Sequence, residues 1–317
     1  MADVPYLLRL TSRIAEGLTR LDDERRQRHL NLVRAYQQTD GGFAGRDGGS
    51  DIYYTAFGIR CLAMLDGLGP EDVSRLADHL RQVRDEADTL VDLLSWLSSA
   101  VVITVAGGEG LLDPTDPELS RLPERIAEFR TPDGGYNNSP GGRSGSTYHT
   151  FVATLCFDLL VEPIPNKDQL TQFVLGRCRE DGGFVEVPAM KRSGTNPSAA
   201  AIGTLLLLDA ITPAVRDGAQ AFFDTVSSDE GGFAANTRIP IADGLSTFTG
   251  LVSLLDLELL DRDRARRIEK YARSLEVKQG GFIGFALDGQ PDVEYTFYGL
   301  GNLGLVWSTI AAGEKGP

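Results

Sequence analysis

Two kinds of apolar segment alternate along the chain, and each predicts a different kind of helix. In the first, apolar positions form a single stripe: Val73, Leu76, Leu80 and Val83, with Arg75, Asp78, Arg81 and Asp85 elsewhere around the turn. Leu119, Leu122, Ile126 and Phe129 repeat the pattern, as do Val215, Phe222 and Val226. A helix with one apolar stripe lies on a core and keeps its other side in water. In the second kind apolar residues run nearly all round, as in Ala201-Ile202-Gly203-Thr204-Leu205-Leu206-Leu207-Leu208 and Gly299-Leu300-Gly301-Asn302-Leu303-Gly304-Leu305-Val306. A helix without a polar face is buried. The alternation predicts inner helices lining a core and outer helices covering them.

A Gly-Gly-aromatic triplet stands between the two kinds: Gly41-Gly42-Phe43, Gly134-Gly135-Tyr136, Gly182-Gly183-Phe184, Gly231-Gly232-Phe233 and Gly280-Gly281-Phe282. The last four are 48, 49 and 49 residues apart, and the first gap, 93, is close to two periods. A degenerate repeat fills that gap, where Val91-Asp92-Leu93-Leu94-Ser95-Trp96 has the apolar helix without the triplet. A fixed period of this length marks a repeat architecture. One domain over 1–317 follows, with six repeats at approximately 22–66, 71–106, 118–161, 166–211, 213–260 and 261–310. The glycines suit a chain reversal, since glycine accepts positive φ at a helix end. Aligning the inner-helix starts brings Thr55, Thr150, Thr247 and Thr296 into register, and Cys61 with Cys156. An open solenoid needs polar caps at its ends. Here the last inner helix is as apolar as the middle ones, so closure is expected: an all-α, six-hairpin α/α toroid.

Charge and composition narrow the class of partner. A formal charge of −14 excludes broad binding to nucleic acid or an anionic membrane, which needs basic surface. No apolar run reaches the roughly 18 residues of a bilayer span, and none follows the start as a secretory signal would. Three cysteines, Cys61, Cys156 and Cys178, in no metal-like spacing fit a reducing cytoplasm.

Parallel inner helices would gather their N-termini, and so their positive dipole ends, at one mouth. Loops leading there carry Arg46, Arg143, Lys191, Arg192 and Arg238. They read either as a diphosphate site or as solvated loop charges. The first turns of the inner helices bring Tyr53, Tyr54, Trp96, Tyr148, Phe151, Phe248, Tyr295, Phe297 and Tyr298 together. Aromatic faces stabilise cations and pack on isoprenoid chains, or they fill the ring's core.

The repeated Gly-Gly-Phe followed by an Asp-initiated apolar helix resembles the prenyltransferase and terpene-cyclase superfamily, over roughly residues 22–310. The clearest stretch runs from Gly280-Gly281-Phe282 through Asp292-Val293-Glu294-Tyr295-Thr296 to Leu300. The length is most similar to the β subunit of protein prenyltransferases, particularly the geranylgeranyl type II kind. That resemblance implies an isoprenoid diphosphate substrate, magnesium for the diphosphate, a helical-repeat α-type partner subunit, and a catalytic zinc held by Asp, Cys and His. Asp243 matches the first zinc ligand, but Leu245 stands for the cysteine and Tyr295 for the histidine, so no zinc is expected at that site. Gly194-Thr195-Asn196-Pro197 occupies the region of the family's diphosphate-binding histidine. His149 sits at a His-Thr position, in the third repeat, as a ligand or catalytic group or as a hydrogen-bonded lining residue.

Class II terpene cyclases resemble the chain through an Asp-x-Asp-Asp-Thr-Ala motif whose middle acid protonates an alkene or epoxide. Asp51-Ile52-Tyr53-Tyr54-Thr55-Ala56 keeps only the first aspartate, whereas Asp292-Val293-Glu294 keeps acids at the first and third positions. Glu294 would then be the proton donor, its pKa raised by burial among aromatics, with Asp292 tuning it. Against this, Asp51, Asp243 and Asp292 at helix starts also read as N-caps. Three functions stay open, in this order: a transferase of the β-subunit type, a small cyclase, and a non-catalytic isoprenoid- or protein-binding relative. The candidate catalytic residues are Glu294, Asp292, Asp243 and His149. The candidate substrate-binding residues are Tyr54, Trp96, Tyr148, Phe248, Tyr295, Arg46, Arg143 and Arg238.

Overall fold

A computed structural model of the chain describes residues 4–314. After α1 (Tyr6–Leu18), the first hairpin pairs α2 (Asp23–Ala35) with α3 (Ile52–Met64), and the second α4 (Pro70–Gln82) with α5 (Leu90–Val105). The third joins α6 (Pro117–Ser120) and α7 (Leu122–Ala127) to α8 (Thr147–Leu159). The others pair α9 (Lys167–Leu175) with α10 (Thr195–Leu207), α11 (Pro213–Val226) with α12 (Gly244–Asp256), and α13 (Arg262–Ser274) with α14 (Val293–Glu314). The inner helices α3, α5, α8, α10, α12 and α14 each pack on the next, and α14 packs back on α3. That last contact closes the ring, and the fold is an α/α toroid.

The triplet does the local work of each hairpin. Its first glycine has positive φ in every copy, from +80° at Gly182 to +107° at Gly280, where a side chain would be strained. The aromatic that follows is almost wholly buried in all five copies. Its backbone N–H donates to the hydroxyl one turn inside the inner helix. Phe43 N–H reaches Thr55 at 2.9 Å, Tyr136 reaches Thr150 at 3.0 Å, and Phe233 reaches Thr247 at 3.0 Å. Phe282 reaches Thr296 at 3.3 Å, and in the fourth repeat Ser198 replaces the threonine, 2.8 Å from Phe184 N. The recurrent hydroxyl is thus the partner of a buried N–H that would otherwise be orphaned. Gly58, Gly250 and Gly299, three residues after the threonine, lie under the Phe43, Phe233 and Phe282 rings and leave no room for a Cβ.

Neighbouring repeats are joined by main-chain bonds. The N–H groups of Leu90, Thr147, Thr195 and Gly244 donate to Asn138, Glu186, Ala235 and Gly284, each two residues past the next triplet aromatic. The first turn of one inner helix therefore holds the loop leading into the next, which keeps the inner helices parallel. The seam between the last and first repeats adds side chains. Gly281 N–H donates to His29 Nδ1 at 2.9 Å, Tyr36 donates to Pro291 O at 2.5 Å, and Arg25 grips Glu276 at 2.6 Å.

Two features depart from the sequence pattern. The stripe Leu119-Leu122-Ile126-Phe129 is not one helix: it breaks between α6 and α7, where Pro123 enters the first turn of α7, because proline has no N–H to continue a preceding helix. The other is α1, which precedes the first repeat and packs on α14, α3 and α8. Tyr6 N–H donates to Asp158 and the Tyr6 hydroxyl to Asp256, both at 2.6 Å. These carboxylates lie at the C-terminal ends of α8 and α12, so α1 crosses the far mouth of the ring. Gly17 and Gly304 let α1 touch α14 backbone to backbone.

Candidate active site

The inner helices enclose a cavity of about 520 Å³, with Tyr6, Leu7 and Leu10 of α1 among its walls. That volume falls in the range of small-molecule sites, roughly 300–1,000 Å³. One wall is a contiguous set of rings. Tyr53 meets Phe57 edge-on at 5.0 Å, Phe57 lies 5.3 Å from Phe297, and Phe248 lies 5.4 Å from both Phe297 and Tyr298. Glycines on the adjacent inner helices make space for this wall: Gly301 sits under Phe248 and Gly203 under Phe151.

Glu294 projects into the cavity from the first turn of α14. The Tyr53 hydroxyl donates to its Oε1 at 2.8 Å, and the Tyr298 hydroxyl lies 3.5 Å from the same oxygen. Burial pushes the Glu294 carboxyl above the usual range and Asp292 adds to the rise, while the two phenols and Arg46 hold it down. Burial also raises the Tyr53 and Tyr298 phenols, so both remain hydrogen-bond donors at neutral pH.

The other candidate acids have structural partners. Asp51, Asp243 and Asp292 cap their helices, accepting from the N–H groups of Tyr54, Ser246 and Tyr295 at 2.7–2.8 Å. Burial raises the Asp243 carboxyl, but this residue does not border the cavity. Asp292 is also bound by Arg46 Nε at 2.7 Å, while the two terminal nitrogens of Arg46 hold Asp288 at 2.6 and 2.8 Å. Arg46 lies 5.6 Å over the Tyr295 ring, so both residues belong to the ring's seam. Arg143 and Arg238 are exposed in rim loops and, like Arg46, do not border the cavity. His149 bonds Ser146 Oγ through Nδ1 at 2.8 Å outside the cavity, and burial lowers its pKa.

Among the aromatics named from sequence, Tyr53, Tyr148, Phe151, Phe248, Phe297 and Tyr298 line the cavity. Tyr54 packs on Tyr53 from outside it. Trp96 points the other way: its Nε1 donates to Leu80 O on the outer layer at 2.8 Å, and Arg84 covers its ring. The zinc positions offer no donor set. Leu245 is a cavity wall, Tyr295 lies under Arg46, and no three His, Cys, Asp or Glu side chains gather for a metal ion among the described residues. A zinc ion anchored on Asp243 would find neither sulfur nor imidazole.

Arg60 is the residue that sequence reasoning passed over. It lies on the cavity-facing side of α3, seven residues after Tyr53, and lines the lumen. A lone cation in the otherwise apolar stretch Ile52–Met64 was the available signal. Asn196 and Thr249 add a neutral polar patch, joined by a 2.8 Å hydrogen bond.

Solved structures share this architecture at low identity. Candida albicans protein geranylgeranyltransferase-I complexed with GGPP is similar at TM-score 0.67 and 14% identity, over 88% of this chain and 90% of that one. Type II terpene cyclase MstE from Scytonema is similar at TM-score 0.59 and 12% identity, over 98% and 99%. A MstE variant in complex with geranylgeranyl dihydroxybenzoate gives TM-score 0.60 and 10% identity, over 96% and 99%. Likeness at these identities speaks for the fold alone. No curated protein sequence matches the chain. The profile of the prenyltransferase alpha-alpha toroid domain matches residues 8–99 and 93–314, and the chain belongs to that family.

Proposed function

We propose that the chain is an isoprenoid cyclase in which Glu294 protonates the substrate inside the lumen. The observation that carries this reading is the Glu294 carboxyl, facing an aromatic cavity with its pKa raised by burial. Both phenols approach Oε1, which leaves Oε2 to carry the proton. A carboxyl raised in this way keeps its proton to higher pH than an exposed glutamate, and in that protonated form it can act as a general acid. Hydrogen bonds from Tyr53 and Tyr298 stabilise the carboxylate that remains when the proton leaves. Protonation of an alkene carbon creates a cation on its neighbour, and the faces of Phe248 and Tyr298 stabilise that charge as the ring closes. Loss of a proton from an adjacent carbon to the Glu294 carboxylate ends the cycle and restores the acid. Asp292, which caps α14 and pairs with Arg46, tunes Glu294 rather than donating.

The likeness to MstE, a type II terpene cyclase, supports this reading. The likeness to a geranylgeranyltransferase-I complexed with GGPP favours a second: transfer from an isoprenoid diphosphate bound at the rim by Arg143 and Arg238, with magnesium and an α-type partner. The cyclase reading ranks first because Glu294 borders the cavity and those arginines do not. The test is mass spectrometry of products after incubation with isoprenoid alcohols, acids and diphosphates of increasing length. Glu294→Gln is expected to lower product formation by ~10²-fold or more while leaving ligand binding intact. Full activity in Glu294→Gln would sink the cyclase reading, and dependence on Arg143 and Arg238 instead would select the transferase. Binding with no turnover under any condition would leave a carrier.

A further inference from the structure

Arg60 has no role in the chemistry above, yet its setting is unusual for a guanidinium. It lies wholly below the protein's envelope and keeps accessible surface because it borders the cavity. Nε donates to Ala56 O at 3.0 Å, one turn back on α3. The guanidinium carbon sits 4.7 Å from the Phe57 centroid and 4.5 Å from that of Phe297. Its two terminal nitrogens have no hydrogen-bond or ion-pair partner among the described residues, so the broad edge of the fork is unclaimed. Burial lowers its pKa, as expected for a charge enclosed without a counter-ion.

A fixed cation in this position conflicts with a wholly uncharged polyene substrate. An uncharged ligand would displace water from the guanidinium edge and leave an enclosed charge with nothing to pair with. An anion carried by the substrate removes the conflict and supplies the missing counter-ion. The free edge of the guanidinium sets its size. The other ionisable groups lining the cavity are Glu186, Glu294 and tyrosines; Glu186 accepts from the Tyr148 N–H at 3.3 Å and forms no ion pair with Arg60, so this one edge is what the cavity offers an anion. One guanidinium edge matches the two oxygens of one carboxylate. A diphosphate would bring two to three charges, about one or two more than Arg60 offsets.

We propose that the ligand of this lumen is an isoprenoid bearing a single carboxylate, held through a bidentate pair with Arg60. The proposal rests on the lumen being an isoprenoid site but not on the chemistry of Glu294. Isothermal titration of farnesoic acid, farnesol and farnesyl diphosphate against the wild type, Arg60→Met and Arg60→Lys tests it. The wild type is expected to bind the acid about tenfold or more tighter than the alcohol. Arg60→Met should lose that preference and keep alcohol binding, and Arg60→Lys should fall between because it keeps the charge and loses the fork. Thermal melts guard against misfolding: without ligand, Arg60→Met should melt no lower than the wild type, since an unpaired buried charge has been removed. Equal affinity for acid and alcohol, unchanged acid binding in Arg60→Met, or an Arg60-dependent preference for the diphosphate would each overturn the proposal. If none of the three binds, the isoprenoid reading of the lumen falls and takes the proposal with it. If the acid binds through Arg60 but no product forms, the cyclase reading alone fails.

Discussion

Replacing Tyr6 by phenylalanine removes one oxygen, and its consequence should depend on pH in a definite direction. The Tyr6 hydroxyl donates to Asp256 at 2.6 Å, anchoring α1 across the far end of the ring. Burial raises Asp256 from 3.8 to about 6, and the Tyr6 hydroxyl holds it down from a still higher value. In the wild type, the folded chain therefore binds more protons than the unfolded chain between about pH 4 and 6. Stability falls across that window as pH rises, by ~3 kcal/mol at most for a shift of about two units, and is level above it. The hydrogen bond is worth ~2 kcal/mol to the charged carboxylate and less to the neutral acid. Tyr6→Phe should thus cost ~2 kcal/mol at pH 7.5 and well under ~1 kcal/mol near pH 5. Urea unfolding of both proteins at the two pH values measures this. Asp256→Asn serves as control: it removes the buried charge, should stabilise the fold at pH 7.5, and should erase the pH dependence of the Tyr6→Phe effect. Equal losses at both pH values would refute the argument, because the hydroxyl would then contribute packing and not charge stabilisation.

Two further outcomes follow from the geometry. Thr247→Val orphans the Phe233 N–H, which now has a partner at 3.0 Å, and should cost ~1–3 kcal/mol by denaturant midpoint; Thr296→Val, where the bond to Phe282 is 3.3 Å, should cost less. Gly301→Ala puts a Cβ 2.5 Å from the Phe248 ring and drives it into the lumen. Titration should show a shift toward shorter isoprenoids with little change in melting temperature, and unchanged length preference would mean that Phe248 does not bound the ligand.

The repeat, its two kinds of helix and its closure were readable from the chain, because each rests on local periodicity. The first glycine of each triplet announces a backbone that glycine alone adopts easily, and the hydroxyls in register at Thr55, Thr150, Thr247 and Thr296 each serve the aromatic N–H of the same hairpin. Glu294 stood out through a resemblance: Asp292-Val293-Glu294 keeps acids at the first and third positions of the cyclase motif.

What stayed hidden depended on direction and distance. An inner helix that is apolar all round does not say which side faces the lumen, so Trp96, which turns outward to Leu80, and Tyr148, which turns inward, read alike in sequence. Arg46 looked like a free rim cation until closure brought Asp288 and Asp292 from the last repeat against it in the first. No repeat partner flagged α1, whose role exists only because the ring has an open end to cover. Arg60 is the sharpest case. Its presence in an apolar helix is a fact of sequence, but whether it found a carboxylate or was left facing a cavity was decided by packing alone, since counter-ions pair across space and not along the chain.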